Sequence, residues 1–330
     1  MTRLEPVLST SIPVHPATQG SDVQRLAVEK HTYPAPMQPV ERSLAFVWSH
    51  ANGFCKEMMH PLMRRFATQL RSLPAYQHTT FDFYAWDARN QGDSARLNAD
   101  HIHVPTYGWL DNAMDTVQVI NEMGLKKNYD KVIGVGHSFG GSAMIIAEFF
   151  FPHIFDGLCI LEAVIAKQFV PYKIRSNFPA IKTTLKRRDT WPSREECFKS
   201  LSGRPFWRDL HPEVLQNFVQ YALYDTEEGT VKLKCPKEEE HLVYLAGAYG
   251  SPVAFNSLKS VTVPVHMVHG DKSTFTDAST AGDIKALSHH VSSAVLDGSH
   301  MIPVEKPDAL VPEIVYLTER VVIESDRAKL

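Results

Sequence analysis

The run Val132-Ile133-Gly134-Val135-Gly136-His137-Ser138-Phe139-Gly140-Gly141 constrains this chain more than any other segment. A β-branched stretch breaks at G-x-S-x-G and resumes as the apolar segment 142–151, so a strand must turn into a helix within a few residues. The glycines flanking Ser138 permit a turn tight enough to strain the serine backbone and lift its hydroxyl clear of the sheet edge. The same turn places the Phe139 N–H in the first turn of the helix, where unsatisfied donors and the positive end of the dipole can receive an anion. Ser138 is thus a candidate nucleophile and the Phe139 N–H a candidate oxyanion donor. The plainer alternative is a glycine-rich turn with an accidental serine.

Around this run, apolar strands alternate with amphipathic helices. Two strands at 7–14 and 25–31 are followed by strands at 44–49, 80–86, 131–136, 157–161, 263–269 and 292–296, with helices at 56–73, 108–123, 139–150, 277–288 and 307–324. The pattern predicts an α/β fold: a mostly parallel central sheet with helices on both faces. It is interrupted over 163–260, a segment rich in proline and aromatic residues that reads as short helices. We expect a helical cap inserted into a core made of 1–162 and 261–330. The first half of the cap is basic, with Lys167, Lys173, Arg175, Lys182, Lys186, Arg187, Arg188 and Arg194. Such a run forms either a solvated helix face or a landing surface for substrate phosphates, for which Lys186, Arg187 and Arg188 are the candidates.

Composition removes other classes. With 44% hydrophobic and 22% charged residues and a net charge of −3, the chain offers no general attraction to nucleic acid. Its longest apolar runs are too short to span a bilayer, and its first residues lack the basic-then-apolar order of a secretory signal. Cys55, Cys159, Cys197 and Cys235 are scattered without a C-x-x-C pair, so reduced structural thiols are expected, with no metal and no cofactor.

A serine nucleophile needs a base, and the base needs an acid to orient it. The loop Asp297-Gly298-Ser299-His300 lies between the strand at 292–296 and the last helix, which nominates His300. The loop His50-Ala51-Asn52-Gly53-Phe54 follows the strand at 44–49, and its Phe54 N–H is expected as the second oxyanion donor beside Phe139. H-x-N-G-F, the D-x-R-x-x-G-D-S segment at 87–94, G-H-S-F-G and the late G-S-H together resemble the α/β-hydrolase superfamily over nearly the whole chain. The resemblance implies a serine hydrolase working without a cofactor on a small-molecule acyl ester or acyl-CoA. A serine at 138 separates the chain from dehalogenases and epoxide hydrolases, whose nucleophile is an aspartate. The acid departs from the usual superfamily position: after the strand that follows the cap, His269-Gly270-Asp271-Lys272-Ser273 puts a serine at the G-x-x-D spacing. Two candidates follow. Asp271 is near in sequence, whereas Glu162 closes the apolar strand before the cap, where a carboxylate is costly unless paired. Glu162 is preferred, with Asp271 the alternative.

The residues Ala328-Lys329-Leu330 are a conservative variant of the S-K-L address, which makes the peroxisomal import receptor an expected partner and the peroxisome the expected location. With that tripeptide the resemblance narrows to fungal peroxisomal hydrolases: the peroxisomal lipase type, the acyl-CoA hydrolases of mycophenolic acid synthesis, and the esterase-lipases of host-selective toxin clusters. It implies a role in toxin or other secondary-metabolite biosynthesis. Two other readings share the fold, a carbon–carbon hydrolase or lyase and a ligand-binding receptor without catalysis.

Overall fold

The computed structural model describes residues 4–18, 24–100, 107–275, 278–287 and 290–327. In chain order its strands are β1 (Leu8–Pro13), β2 (Arg25–Tyr33), β3 (Arg42–Ser49), β4 (Thr79–Trp86), β5 (Lys131–His137), β6 (Gly157–Leu161), β7 (Thr190–Trp191), β8 (Leu223–Asp225), β9 (Val231–Leu233), β10 (Val265–Gly270) and β11 (Val291–Leu296). Eight of them form one sheet in the order β1-β2-β4-β3-β5-β6-β10-β11. β2 pairs antiparallel with β1 and with β4, and from β4 to β11 every neighbour is parallel. The predicted α/β architecture is the observed one. Parallel strands need crossover helices, and those helices bury both faces of the sheet.

Alternation along β3 shows how the layers form. Ala45 and Val47 join one buried cluster with Trp109, Val117 and Ile146, while Leu44, Phe46 and Trp48 join another with Phe66, Phe83 and Leu317. A period of two sends successive side chains to opposite faces, so each strand serves two cores. Helices Trp109–Glu122 and Phe139–Phe150 cover the first face, and helices His60–Ser72 and Pro307–Arg327 the second. On the second face the Phe46 and Phe66 rings meet edge to face at 5.0 Å, and Phe66 stacks on Phe83 at 5.8 Å.

The segment between β6 and β10 differs in part from the short helices expected there. It contains a separate sheet in the order β7-β9-β8 and a 21-residue helix, Lys237–Ser257. Gly247, Gly250 and Pro252 read as helix breakers, yet the helix continues through them. The small residues are there for contact: the indole of Trp109 packs against Gly247 and Gly250. Tertiary packing outweighs local propensity here.

The elbow depends on a closer approach still. A Cβ added to Gly136, in β5, would lie 2.6 Å from Gly141 Cα and 2.8 Å from Gly141 N, in the helix that follows. The strand and helix can fold back on each other only because both positions lack a side chain. Gly136→Ala is therefore expected to destabilise the protein by about 1–3 kcal/mol through overpacking. The readout is a lower urea midpoint at unchanged slope.

Candidate active site

The parallel strands deliver their C-terminal ends to one edge of the sheet, where open α/β sheets place their ligand crevices. Ser138, directly after β5, has φ 56° and ψ −122°, a conformation that costs about 1–3 kcal/mol for a residue with a Cβ. Its N–H is held by the Leu161 carbonyl at 2.9 Å, and the side chain is nearly buried. Glu162, directly after β6, also has positive φ, at 53°. Its N–H donates to the Val268 carbonyl at 2.8 Å. Both residues leave their strands through strained turns anchored on the neighbouring strand.

Three side chains meet in line. His300 Nδ1–H donates to Glu162 Oε2 at 2.9 Å, and His300 Nε2 lies 2.9 Å from Ser138 Oγ. A carboxylate can only accept, so the Nδ1 contact fixes the tautomer and leaves Nε2 free to take the serine proton. Glu162 is completely buried, and its remaining acceptor capacity is used by the Gly270 N–H and by Ser273 Oγ–H at 2.6 Å. Burial pushes this carboxyl up, but the hydrogen bond and charge of His300, with Ser273 and Gly270, outweigh it and hold it below the ordinary glutamate value. Asp271 is exposed, and its Oδ1 accepts the Gly298 N–H at 3.0 Å. Of the two candidate acids, the fold brings Glu162 to His300. Ser273, which occupies the usual acid position, donates to it.

The expected Phe54 N–H is not available as an oxyanion donor. It donates to the Ala51 carbonyl at 3.2 Å, closing a turn, while the Phe54 ring enters an apolar cluster with Phe218 (6.3 Å) and Trp207 (6.5 Å). Among the described residues, neither the Asn52 N–H nor the Phe139 N–H meets an acceptor. The loop that carries Asn52 abuts the elbow helix, since a Cβ on Gly140 would come within 2.7 Å of the His50 carbonyl oxygen. Asn52 is also held through its side chain, which donates to the Glu240 carbonyl (2.9 Å) and accepts from Gln91 (2.7 Å).

The second motif, 87–94, proves to be the support of this loop, a role that spacing alone does not suggest. Asp87 accepts the N–H groups of Lys56 (2.7 Å) and Asp93 (2.8 Å), and Gln91 accepts the Gly53 N–H at 2.9 Å. Lys56 Nζ sits among Glu57 (2.9 Å), Asp87 (3.1 Å) and Asp93 (2.6 Å). Burial opposes the Lys56 charge, but these carboxylates and Glu29 carry its pKa well above the usual lysine value. One ligand atom each from Glu29, His31 and His60 lie within 4.8 Å of one another, a donor set in which a metal could be sought. His60 Nδ1, however, accepts the Leu4 N–H at 3.3 Å, which puts the proton of the neutral ring on Nε2, 3.5 Å from Glu29 Oε2. With Lys56 3.8 Å from Glu29 Oε1, the Glu29 carboxylate of this cluster serves as a counter-charge for that lysine.

The basic run does not present one surface. Lys186 is exposed, but Arg187 turns inward to pair with Glu240, and Arg188 donates to the Thr190 carbonyl at 2.6 Å. A joint phosphate site at 186–188 is thus corrected for Arg187, whose charge is taken by a buried carboxylate. Burial pushes the Glu240 carboxyl up to about 7 against the pull of Arg187. Residues 328–330 lie outside the described residues.

A model of the alpha/beta hydrolase family matches residues 46–313, a span that contains all four motifs. The chain belongs to the alpha/beta hydrolase family. It is similar to the type I acyl-CoA thioesterase mpaH of Penicillium brevicompactum, 27% identical over 206 residues, or 62% of this chain and 45% of that protein. It is also similar to the peroxisomal membrane protein LPX1 of Saccharomyces cerevisiae, 23% identical over 257 residues, or 72% of this chain and 66% of that one. The chain thus spans about half to two-thirds of the length of these relatives. The solved structure of the peroxisomal alpha-beta-hydrolase Lpx1 from Saccharomyces cerevisiae superposes with a TM-score of 0.82 at 19% identity, covering 98% of this chain and 91% of that one. Among the described residues no helix is long and apolar enough to cross a membrane.

The lowered pKa of Glu162 has a thermodynamic consequence. A carboxyl whose folded-state pKa lies below its unfolded value stabilises the fold fully above the ordinary glutamate value of about 4.3, and that contribution is lost as pH falls through the lower folded-state value. The stability gap between wild type and Glu162→Gln is therefore expected to narrow as pH is lowered from neutral to about 3. Urea midpoints across that range check it, and a constant gap would refute the linkage.

Proposed function

We propose that this chain is a serine hydrolase that cleaves a carboxylic ester or acyl-CoA thioester through an acyl-enzyme, with residues 163–260 acting as a cap on the core. The observation that carries the reading is the continuous line from Glu162 Oε2 through the His300 ring to Ser138 Oγ, with both contacts at 2.9 Å. In this mechanism Ser138 Oγ attacks the substrate carbonyl as its proton passes to His300 Nε2, and Glu162 stabilises the imidazolium. The Phe139 N–H and the Asn52 N–H receive the oxyanion, since both donors are uncommitted. His300 then protonates the leaving alcohol or thiol, which departs, and next activates a water that releases the acid from Ser138. No step calls on a metal or an organic cofactor.

A thioester substrate is supported by the likeness to an acyl-CoA thioesterase, and a peroxisomal location by the likeness to the yeast protein. We assign the reaction to fungal toxin or other secondary-metabolite biosynthesis on the resemblance alone. An amino-terminally tagged chain is expected in peroxisomes, and removal of residues 328–330 is expected to leave it in the cytosol. Diffuse fluorescence of the intact fusion would refute the location.

Reaction with a fluorophosphonate probe tests the chemistry. Ser138→Ala is expected to abolish labelling, and labelling elsewhere would refute the nucleophile. Glu162→Gln should lower kcat by about 10²–10⁴-fold, as when an imidazole loses its orienting charge, whereas Asp271→Asn should change it little. The opposite ranking would return the acid to the position after β10.

A further inference from the structure

Arg175 ends the short helix Tyr172–Arg175, in the segment between β6 and β10, and its side chain runs inward with 9% of the residue exposed. Its Nε–H donates to the Tyr244 carbonyl at 2.6 Å. Among the described residues, no carboxylate pairs with this guanidinium and no acceptor meets its two terminal amino groups. The other buried cations differ. Lys56 is surrounded by acids, and Arg89 is held in a fork by Asp115 at 2.8 and 2.7 Å. Desolvation alone acts on Arg175 and brings its pKa down to about 10. A buried guanidinium without a counter-charge is unfavourable until an anion arrives.

Its position ties it to the site. The Trp109 ring stands edge-on to the Phe139 ring at 5.7 Å, and Phe139 is the residue after Ser138. The indole is fixed by its Nε1–H, which donates to the Val243 carbonyl at 3.0 Å. Arg175 Nη2 and Trp109 Cζ2 both crowd Gly247, where a Cβ would collide with Nη2 and approach Cζ2 to 2.6 Å. Gly247 thus leaves the space that the guanidinium and the indole share. Ser138, Phe139, Trp109 and Arg175 thus follow one another in space, the last two meeting over Gly247.

We propose that Arg175 is the anion anchor of the Ser138 site, binding an anionic oxygen group of the substrate, carboxylate or phosphate, across Trp109 from the reacting carbonyl. The planar fork of a guanidinium suits either group, because both offer two oxygens at matching spacing. The inference rests on the hydrolase reading and narrows its substrates to acyl compounds with a second, charged group. A carboxylate would lie on the acyl chain, and a phosphate on a CoA leaving group.

Three thioesters separate these sources: pentanoyl-pantetheine, which is uncharged; glutaryl-pantetheine, which adds an acyl carboxylate; and pentanoyl-CoA, which adds phosphates to the leaving group. The full-length chain is expected to prefer one anionic member over the uncharged one by about 10–100-fold in kcat/KM, carried mainly by KM. Arg175→Gln should erase that preference while keeping turnover of pentanoyl-pantetheine within about twofold, and Arg175→Lys should keep part of it. The member preferred identifies the anion. Absence of any preference in the wild type overturns the inference whatever the variants do. So does a preference that survives Arg175→Gln, or an equal loss on all three thioesters, which would make Arg175 only the tie between its helix and Tyr244. Fluorophosphonate labelling of Ser138 is read in parallel. Labelling without anion preference refutes the anchor alone, whereas no labelling and no turnover refutes the hydrolase reading.

Discussion

The buried carboxylate of Glu162 is the interaction on which the arrangement at the sheet edge depends. It is fully removed from water at the end of β6 and gathers the Gly270 N–H, the Ser273 hydroxyl and the His300 ring. Those three donors come from the end of β10 and from the two loops beyond β10 and β11. An ionised carboxylate in such a place is tolerable only when its lone pairs are filled, so the same demand that fixes Glu162 also fixes the relative positions of the three strand ends. The departure of the sequence from the usual acid position becomes intelligible in these terms. Ser273 supplies a hydroxyl where a second carboxylate would have placed like charges against each other.

A second network performs the matching task on the other side of Ser138. Gln91 holds the loop 50–54 at Gly53 and Asp87 holds the Lys56 N–H just beyond it, while Glu240 and the apolar cluster around Phe54 hold it from the segment between β6 and β10. Gln91 takes the Gly53 N–H and donates to the Asn52 side chain, which in turn donates to the Glu240 carbonyl. Stiffening of this kind lets N–H groups stay aimed without closing on one another, which is what a preorganised anion site requires.

Much of this was legible in the chain because it depended on local order. Alternating strands and amphipathic helices dictated the sheet, and the glycines around Ser138 dictated the tight turn. The arithmetic of G-x-x-D against His269-Gly270-Asp271-Lys272-Ser273 pointed away from Asp271 and toward Glu162, the carboxylate now found against His300. What escaped depended on partners distant in sequence. Position in the loop makes the Phe54 N–H look like a donor, whereas the backbone turns that N–H onto Ala51 and the ring into the cluster with Phe218. Arg187 looks like a surface charge in sequence, but Glu240, on the helix 237–257, pairs with it. The helix 237–257 was hidden because Gly247 and Gly250 make room for partners distant in sequence, Trp109 at both and Arg175 at Gly247.

The surroundings of His300 carry the electrostatic argument one step further. Its ring is stacked on Phe275 at 3.9 Å, and its carbonyl accepts from His137 Nε2 at 3.0 Å. A second imidazole so near would compete for Glu162 if it were charged. Burial prevents that: desolvation, with the neighbouring His300, takes His137 down to about 3, and desolvation lowers His269 as well, against the pull of Glu162. Both rings therefore stay neutral at physiological pH, and the negative charge of Glu162 is left to act on His300 alone. The His300 ring thus keeps its contacts to Glu162 and Ser138 while the two nearby imidazoles stay uncharged.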